Sequence, residues 1–276
     1  MVTICISFMS EEKVIINTPS PRTRQSLATD FVNAGVNSGM TVIVHSSLSS
    51  LGWVCGGSVA VVQALMDVIT PTGNIVMPTH TGDLSDPANW QEPSVPREWW
   101  TIIRETMPAF DPQVTPTREM GQIVETFRTW ENVLRSSHPQ VSFAAWGKDA
   151  EKIVLNHSLD YSLGEDSPLA RLYDLDGWVL LLGVGYENCT SFHLAEYRFG
   201  GREQVKKGAP ILEAGRRVWQ WFTDIDFDTS CFVEMGAAFA QTGQVQISTV
   251  GSAQVKLFKV RNAVDFAVSW LKDNSQ

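Results

Sequence analysis

Paired cysteines are missing from this chain: Cys5, Cys55, Cys189 and Cys231 stand far apart, with no C-x-x-C among them. That spacing argues against a cysteine-bound zinc and against a dense disulfide framework. Long apolar runs are missing too, since none approaches the roughly 18 residues that a membrane span needs. Met1 to Ser10 hold no basic cluster ahead of Glu11-Glu12-Lys13, so no signal peptide is predicted and the cytoplasm is the expected compartment. Positive charge is scarce. Lysine and arginine total 21 against 30 aspartates and glutamates, a formal net charge of −9. Nucleic acid needs a basic face and is excluded as a partner, whereas a cationic small molecule suits this balance. Several motifs are incomplete or absent: Gly183-Val184-Gly185 lacks the third glycine of a dinucleotide fingerprint, and there is no Walker A run and no H-E-x-x-H.

What is present describes one soluble globule. The 276 residues are 43% apolar and 18% charged, enough to bury a sizeable core. Thr23 to Ala34 reads as a helix stopped by Gly35, and Thr41-Val42-Ile43-Val44 as a buried strand. A hydroxyl-rich turn follows from His45 to Gly52, at the carboxyl end of that strand, where open α/β sheets bind ligands. Ser58 is the expected cap of a helix over Val59 to Ile69, and Ile75-Val76-Met77 is a second strand. This alternation predicts a three-layer α/β/α sandwich with a mostly parallel central sheet.

Residues 79–120 break the rhythm with prolines, tryptophans and carboxylates, which in so long a loop suggests either a binding insert or an irregular packed excursion. Helices are expected over Met120 to Thr129, Ala150 to His157 and Ser167 to Tyr173, and a buried strand over Trp178 to Val184. Beyond Arg202 the segments Arg217 to Phe222, Gln244 to Ile247 and Gln254 to Phe258 alternate, predicting a smaller antiparallel β-rich C-terminal portion around a helix at Phe232 to Ala240. Val260 to Leu271 is a closing amphipathic helix. The expected organisation is a single domain with a core at 22–200, an insert at 79–120 and a β-rich appendage at 202–260.

Three residues after the strand at Trp178 to Val184 carry candidate chemistry. His193 and Glu196 are three apart and share one helix face, with Thr190 one turn earlier. A carboxylate orients an imidazole and raises its basicity, and a hydroxyl can donate to a developing anion. On these residues alone, a capped helix with a partly buried polar pair is the simpler reading. His45, His80, His138 and His193 each follow a strand or sit in a turn, and with Asp83 they could build an acid/base site or hold a metal; their spacing favours no metal. Arg135-Ser136-Ser137-His138-Pro139 suits a phosphate group or a solvated turn. Gly57-Ser58 half resembles a nucleophile elbow, with a helix cap as the plainer role.

Taken in order, these segments resemble the aminoglycoside 3-N-acetyltransferase family. The resemblance is carried by His45-Ser46-Ser47-Leu48-Ser49-Ser50-Leu51-Gly52 with Gly56-Gly57, by Gly73 with Met77-Pro78-Thr79, and by Phe110-Asp111-Pro112. It continues through Gly121, Arg128, Arg135-Ser136, His138-Pro139, Ser142, Ala145, Gly147, Gly164 and Ser167-Pro168-Leu169. Leu181-Leu182-Gly183-Val184 with Asn188, Thr190, His193 and Glu196 completes it. The resemblance implies acetyl transfer from acetyl-CoA, with no metal, to the 3-amino group of a 2-deoxystreptamine antibiotic, and hence bacterial antibiotic resistance. It implies His193 as base, Glu196 as its partner and Thr190 as stabiliser of the tetrahedral intermediate. It places Ser46, Ser47 and Leu48 along the pantetheine arm and Arg135, Ser136 and His138 near the CoA phosphates, with Phe143 as a further CoA-binding residue. His80, Asp83 and Glu92, with Asp86, Glu98, Asp224, Asp226 and Asp228, are the expected polycation receptors. A monomer or homodimer is expected. The alternatives are acylation of another small amine, or a metal-dependent or serine hydrolase.

Overall fold

The computed structural model describes residues 11–91 and 93–274. Helix α1 (Arg24–Asn33) opens with a reciprocal cap, in which Thr23 Oγ1 accepts the Ser26 N–H and Ser26 Oγ accepts the Thr23 N–H. Strand β1 (Thr41–Ser46), helix α2 (Gly57–Ile69) and strand β2 (Asn74–Pro78) follow. Ser58 does not cap α2. The helix begins at Gly57, two residues earlier than expected, behind left-handed Gly56, and the Ser58 hydroxyl meets Thr126 Oγ1 at 2.7 Å.

The insert folds into a short helix α3 (Trp100–Thr106) and irregular turns before helix α4 (Gly121–Arg128). Strands β3 (Leu134–Arg135) and β4 (Phe143–Gly147) precede helices α5 (Ala150–Val154) and α6 (Pro168–Asp174). Helix α5 stops short of His157 because Leu155 is extended and Asn156 has a positive φ of 53°. Strand β5 (Trp178–Leu182) ends at Gly183, where a Cβ would lie 1.9 Å from Ser50 Oγ, so only glycine fits beneath the serine turn.

Helix α7 (Ser191–Phe199) leads to strands β6 (Gln204–Glu213) and β7 (Arg216–Ile225), then helix α8 (Phe232–Ala240). Strands β8 (Gln246–Val250) and β9 (Ala253–Lys259) and helix α9 (Val260–Asn274) complete the described chain. Among the described residues no helix is long and apolar enough to cross a membrane.

Seven strands form the main sheet in the order β3-β4-β2-β1-β5-β9-β8. Its centre is parallel, β1 pairing with both β2 and β5, while the flanks are antiparallel. Alternation along the central strands divides the core in two. Val42 and Val44, Ile75 and Met77, and Leu180 and Leu182 face α1, α2 and α4; Ile43, Val76, Val179 and Leu181 face α6, α7, α8 and α9. These are the three layers the sequence predicts.

The C-terminal part divides differently from the expected 202–260 unit. Strands β8 and β9 extend the main sheet, and only β6 and β7 stand apart, as a two-stranded ribbon. Ala214 and Gly215 close that ribbon with φ of 47° and 75°, the pair of positive values a tight hairpin needs. The insert packs on the ribbon: Phe110 donates its N–H to the Pro210 carbonyl at 3.1 Å, and Arg217 donates to the carbonyls of Met107 and Arg104.

Candidate active site

Strands β1 and β2 stay paired only as far as Ile43 and Val76, whereas β1 and β5 remain paired to Ser46 and Leu182. The parting opens a crevice at the carboxyl ends of the parallel strands, where β2 and β5 flank β1 on opposite sides. A cavity of about 230 Å³ occupies it, walled by Val44, His45, Ser46, Pro78, His80 and, from the α7 side, Thr190 and His193. Glu119, Met120, Val124, Val184, Glu187 and Asn188 form the remainder of the wall.

His193 is held on every side but one. Its Nδ1 donates to Glu196 Oε2 at 2.5 Å, and its ring packs between Phe227 (4.8 Å) and Phe232 (5.0 Å). Nε2 is left for the cavity. Glu196 is fully buried; its Oε1 accepts the Asp228 N–H at 3.2 Å and lies 2.8 Å from Arg202 Nε. The Arg202 N–H is not aimed along that line, so this contact is an ion pair by proximity rather than an aligned hydrogen bond. Arg202 is itself tied to Asp228 at 3.1 Å. A buried carboxylate requires such partners. Thr190 stands at the start of α7 but makes no side-chain cap bond, and its hydroxyl is not spent on the helix. Arg202, Asp228, Phe227 and Phe232 were beyond sequence reasoning, because no spacing rule links them to His193.

Two further imidazoles share the cavity. Burial, and then the charge on His193, push the pKa of both His45 and His80 down to about 3, and the Nε2 of each is buried without a partner. Ser46 Oγ is likewise buried and unpartnered. An unmet polar group in a cavity is a place for a ligand atom. The cavity suits the acetyl-thioester end of CoA in size, not its nucleotide.

The expected CoA-phosphate residues lie elsewhere and are spent on the protein. Arg135 donates to the Thr79 carbonyl (2.7 Å), Ser142 Oγ (3.0 Å) and the Thr115 carbonyl (2.5 Å), pinning the insert to the sheet. Ser136 is buried, donating to His157 Nδ1 and accepting the Phe143 N–H, each at 2.9 Å. His138 Nδ1 accepts the N–H groups of Gln140 and Val141, and its Nε2 donates to the Leu159 carbonyl. Phe143 is buried core against the His80 ring edge. Ser46 lines the cavity, while Ser47 and Leu48 continue away from it, Leu48 packing on the core.

The expected cation receptors are also mostly paired. Asp83 bonds Arg118, Asp86 bonds Arg104 at 2.7 Å, and buried Asp224 bonds Lys207, Ser162 and Tyr197. Glu92 lies outside the described residues. The carboxylates that do reach the cavity wall are Glu119 and Glu187. No signal in the sequence singled them out. Cys189, buried next to Thr190, has its thiol pushed up to about 12 by burial, which rules it out as a thiolate nucleophile near neutral pH. Among the described residues no three His, Cys, Asp or Glu side chains group as metal ligands.

Known proteins share this fold. The aminoglycoside 3-N-acetyltransferase family matches residues 43–272. The SPbeta prophage-derived aminoglycoside N(3')-acetyltransferase-like protein YokD of Bacillus subtilis (strain 168) is 50% identical over 264 residues, covering 95% of this chain and 97% of that protein. Its crystal structure superposes with a TM-score of 0.94, covering 95% of this chain and 98% of that one. Aminoglycoside N(3)-acetyltransferase III of Pseudomonas aeruginosa is 34% identical over 259 residues, covering 91% and 94%. The binary structure of AAC-IIIb with CoASH superposes with a TM-score of 0.82 at 31% identity, covering 92% and 97%. With the buried dyad, the crevice at the strand ends and these likenesses over nearly its full length, the chain belongs to the aminoglycoside 3-N-acetyltransferase family.

Proposed function

We propose that this protein moves acetyl from acetyl-CoA to the 3-amino group of an aminoglycoside, with His193 as base. One observation carries the assignment: His193 Nδ1 is bound to sealed Glu196, which makes His193 the imidazole with a carboxylate behind it on the wall of a cavity that Thr190 also lines. An amine above its pKa needs no help, but near neutrality it is an ammonium and must lose a proton before it attacks. The ammonium releases one proton to solvent, the free amine nitrogen bonds to the thioester carbon, the carbonyl π pair moves onto oxygen, and His193 Nε2 takes a second proton from the nitrogen. Collapse breaks the C–S bond, and the proton passes from His193 to the leaving sulfur. Glu196, anchored by Arg202, holds the ring and stabilises the imidazolium between these steps. The Thr190 hydroxyl donates to the oxyanion.

Ser46 receives the thioester end, and Glu119 and Glu187 receive the acceptor's other ammonium groups, with His80 also on the cavity wall. The protein is proposed to act as a monomer or a homodimer. The cytoplasm, with its acetyl-CoA, is the matching compartment.

The protein incubated with acetyl-CoA and an aminoglycoside panel should release CoA thiol with at least one of them. Thiol release with other small primary amines and none with aminoglycosides would reassign the acceptor. Absence of CoA binding by calorimetry would overturn the whole reading. Nothing in the geometry favours a serine hydrolase, because the Ser58 hydroxyl is engaged by Thr126 in the seam between α2 and α4.

A further inference from the structure

The wall of the cavity opposite α7 is built by the last residues of β1, the strand at the centre of the parallel sheet. His45 points to the same side of β1 as Ile43, the side on which α7 packs. Its Nε2 is buried and meets no protein acceptor or donor, although the residue is otherwise enclosed by core. The next residue, Ser46, leaves its Oγ in the same state. Leaving a buried ring nitrogen unmatched costs free energy, and a protein retains it where a ligand supplies the missing partner.

We propose that His45 is a second catalytic imidazole, whose Nε2–H donates to the acyl oxygen of the bound thioester and, more strongly, to the oxyanion formed from it. This rests on the acetyl-transfer reading above. The division between the two imidazoles follows from their surroundings. His193 has a carboxylate on Nδ1 and can carry a proton, while His45 has no carboxylate and sits where burial and His193 oppose any charge. An imidazole that stays neutral is a hydrogen-bond donor that never competes for the substrate's proton, a role in which a depressed pKa is an advantage. The His45 hydrogen is not transferred; it remains on Nε2 while the C–N bond forms and the C–S bond breaks. Thr190 and His45 then approach the oxygen from α7 and from β1, a two-donor hole fixed by two separate elements.

The test uses full-length wild-type, His45→Ala and His45→Gln proteins, the glutamine amide offering a donor close to the position of Nε2. With the best acceptor, His45→Ala should lower kcat about 100-fold while CoA binding by calorimetry changes less than about twofold, and His45→Gln should recover at least about tenfold of the loss. In parallel, the infrared carbonyl band of acetyl-CoA carrying ¹³C at the acetyl carbonyl should shift to lower frequency on binding wild type, and the shift should vanish in His45→Ala. That band reads the contact without any acceptor. If wild type transfers acetyl to no amine, the reading of function fails and the band still decides this proposal. An unchanged kcat with an unchanged band in His45→Ala overturns it, as does a loss of CoA binding that His45→Gln does not restore.

Discussion

His193 and Glu196 meet at 2.5 Å on one face of α7, and the carboxylate in that contact has no exposure to solvent at all. The geometry makes the imidazole a base with its rotation already fixed. His193→Ala should therefore lower kcat by about 10²- to 10⁴-fold with CoA affinity nearly unchanged by calorimetry. Loss of CoA binding in step with activity would mean that His193 holds the fold instead.

Arg202 stabilises the buried charge behind the base. Arg202→Ala leaves Glu196 with one backbone N–H and His193, so both stability and turnover should fall. The expected loss is about 2 kcal/mol in urea unfolding, with Arg202→Lys intermediate. Full activity and stability in Arg202→Ala would show that Glu196 needs no countercharge.

Thr190 matters by its hydroxyl alone. Thr190→Val keeps the side-chain shape and should reduce kcat by about 10²-fold while leaving the acceptor's KM within about threefold. An unaltered rate would remove Thr190 from the reaction.

Gly236 offers a test in which two effects compete. Alanine favours a helix by about 1 kcal/mol over glycine, but a Cβ here would lie 2.1 Å from the Tyr186 ring, which is itself enclosed. Overpacking of that kind costs about 1–3 kcal/mol. Gly236→Ala should lower the melting temperature, and an equal or higher value would show that Tyr186 yields.

Acid should destabilise the fold through its buried imidazoles. Burial pushes His45 and His80 to about 3 and His157 to about 4, and holds His138 well below the ordinary 6.5. The unfolded chain takes up these protons below about pH 6.5 and the folded chain does not. Their contribution to stability is thus complete above that value and erodes as the pH falls toward about 4, by about 1.4 kcal/mol per pH unit for each histidine. The urea midpoint should drop steadily between about pH 7 and about pH 5. A level midpoint over that range would contradict the burial of these rings.

The sequence made the layered sandwich legible because Val42 to Val44, Ile75 to Met77 and Val179 to Leu182 are short apolar runs separated by helical patterns. The dyad was legible for a similar reason: His193 and Glu196 are local, and three-residue spacing on a helix fixes their meeting. Long-range partners were not. Arg202 and Asp228 reach Glu196 only after the chain has turned past Gly200, and Phe227 and Phe232 reach His193 from beyond the ribbon. Arg135, Ser136 and His138 look the same in sequence whether they meet a phosphate or the protein itself, and in the structure Arg135 holds the carbonyls of Thr79 and Thr115. Charge counts likewise do not reveal that Asp86 and Asp224 have cations against them.

Helix α7 carries the base, yet Phe192, Leu194 and Ala195 on it share one core with Val260, Ala263, Val264, Ala267 and Leu271 of α9. A ribosome that has just added Glu196 has still to make the strand that flanks β5 and the helix that backs α7. Domains fold as units once their parts have emerged, so a nascent chain can expose the serine turn long before it can hold His193 in place. Acetylation therefore begins only when synthesis has passed α9, and premature stops in that helix should yield chains that display the serine turn and catalyse nothing.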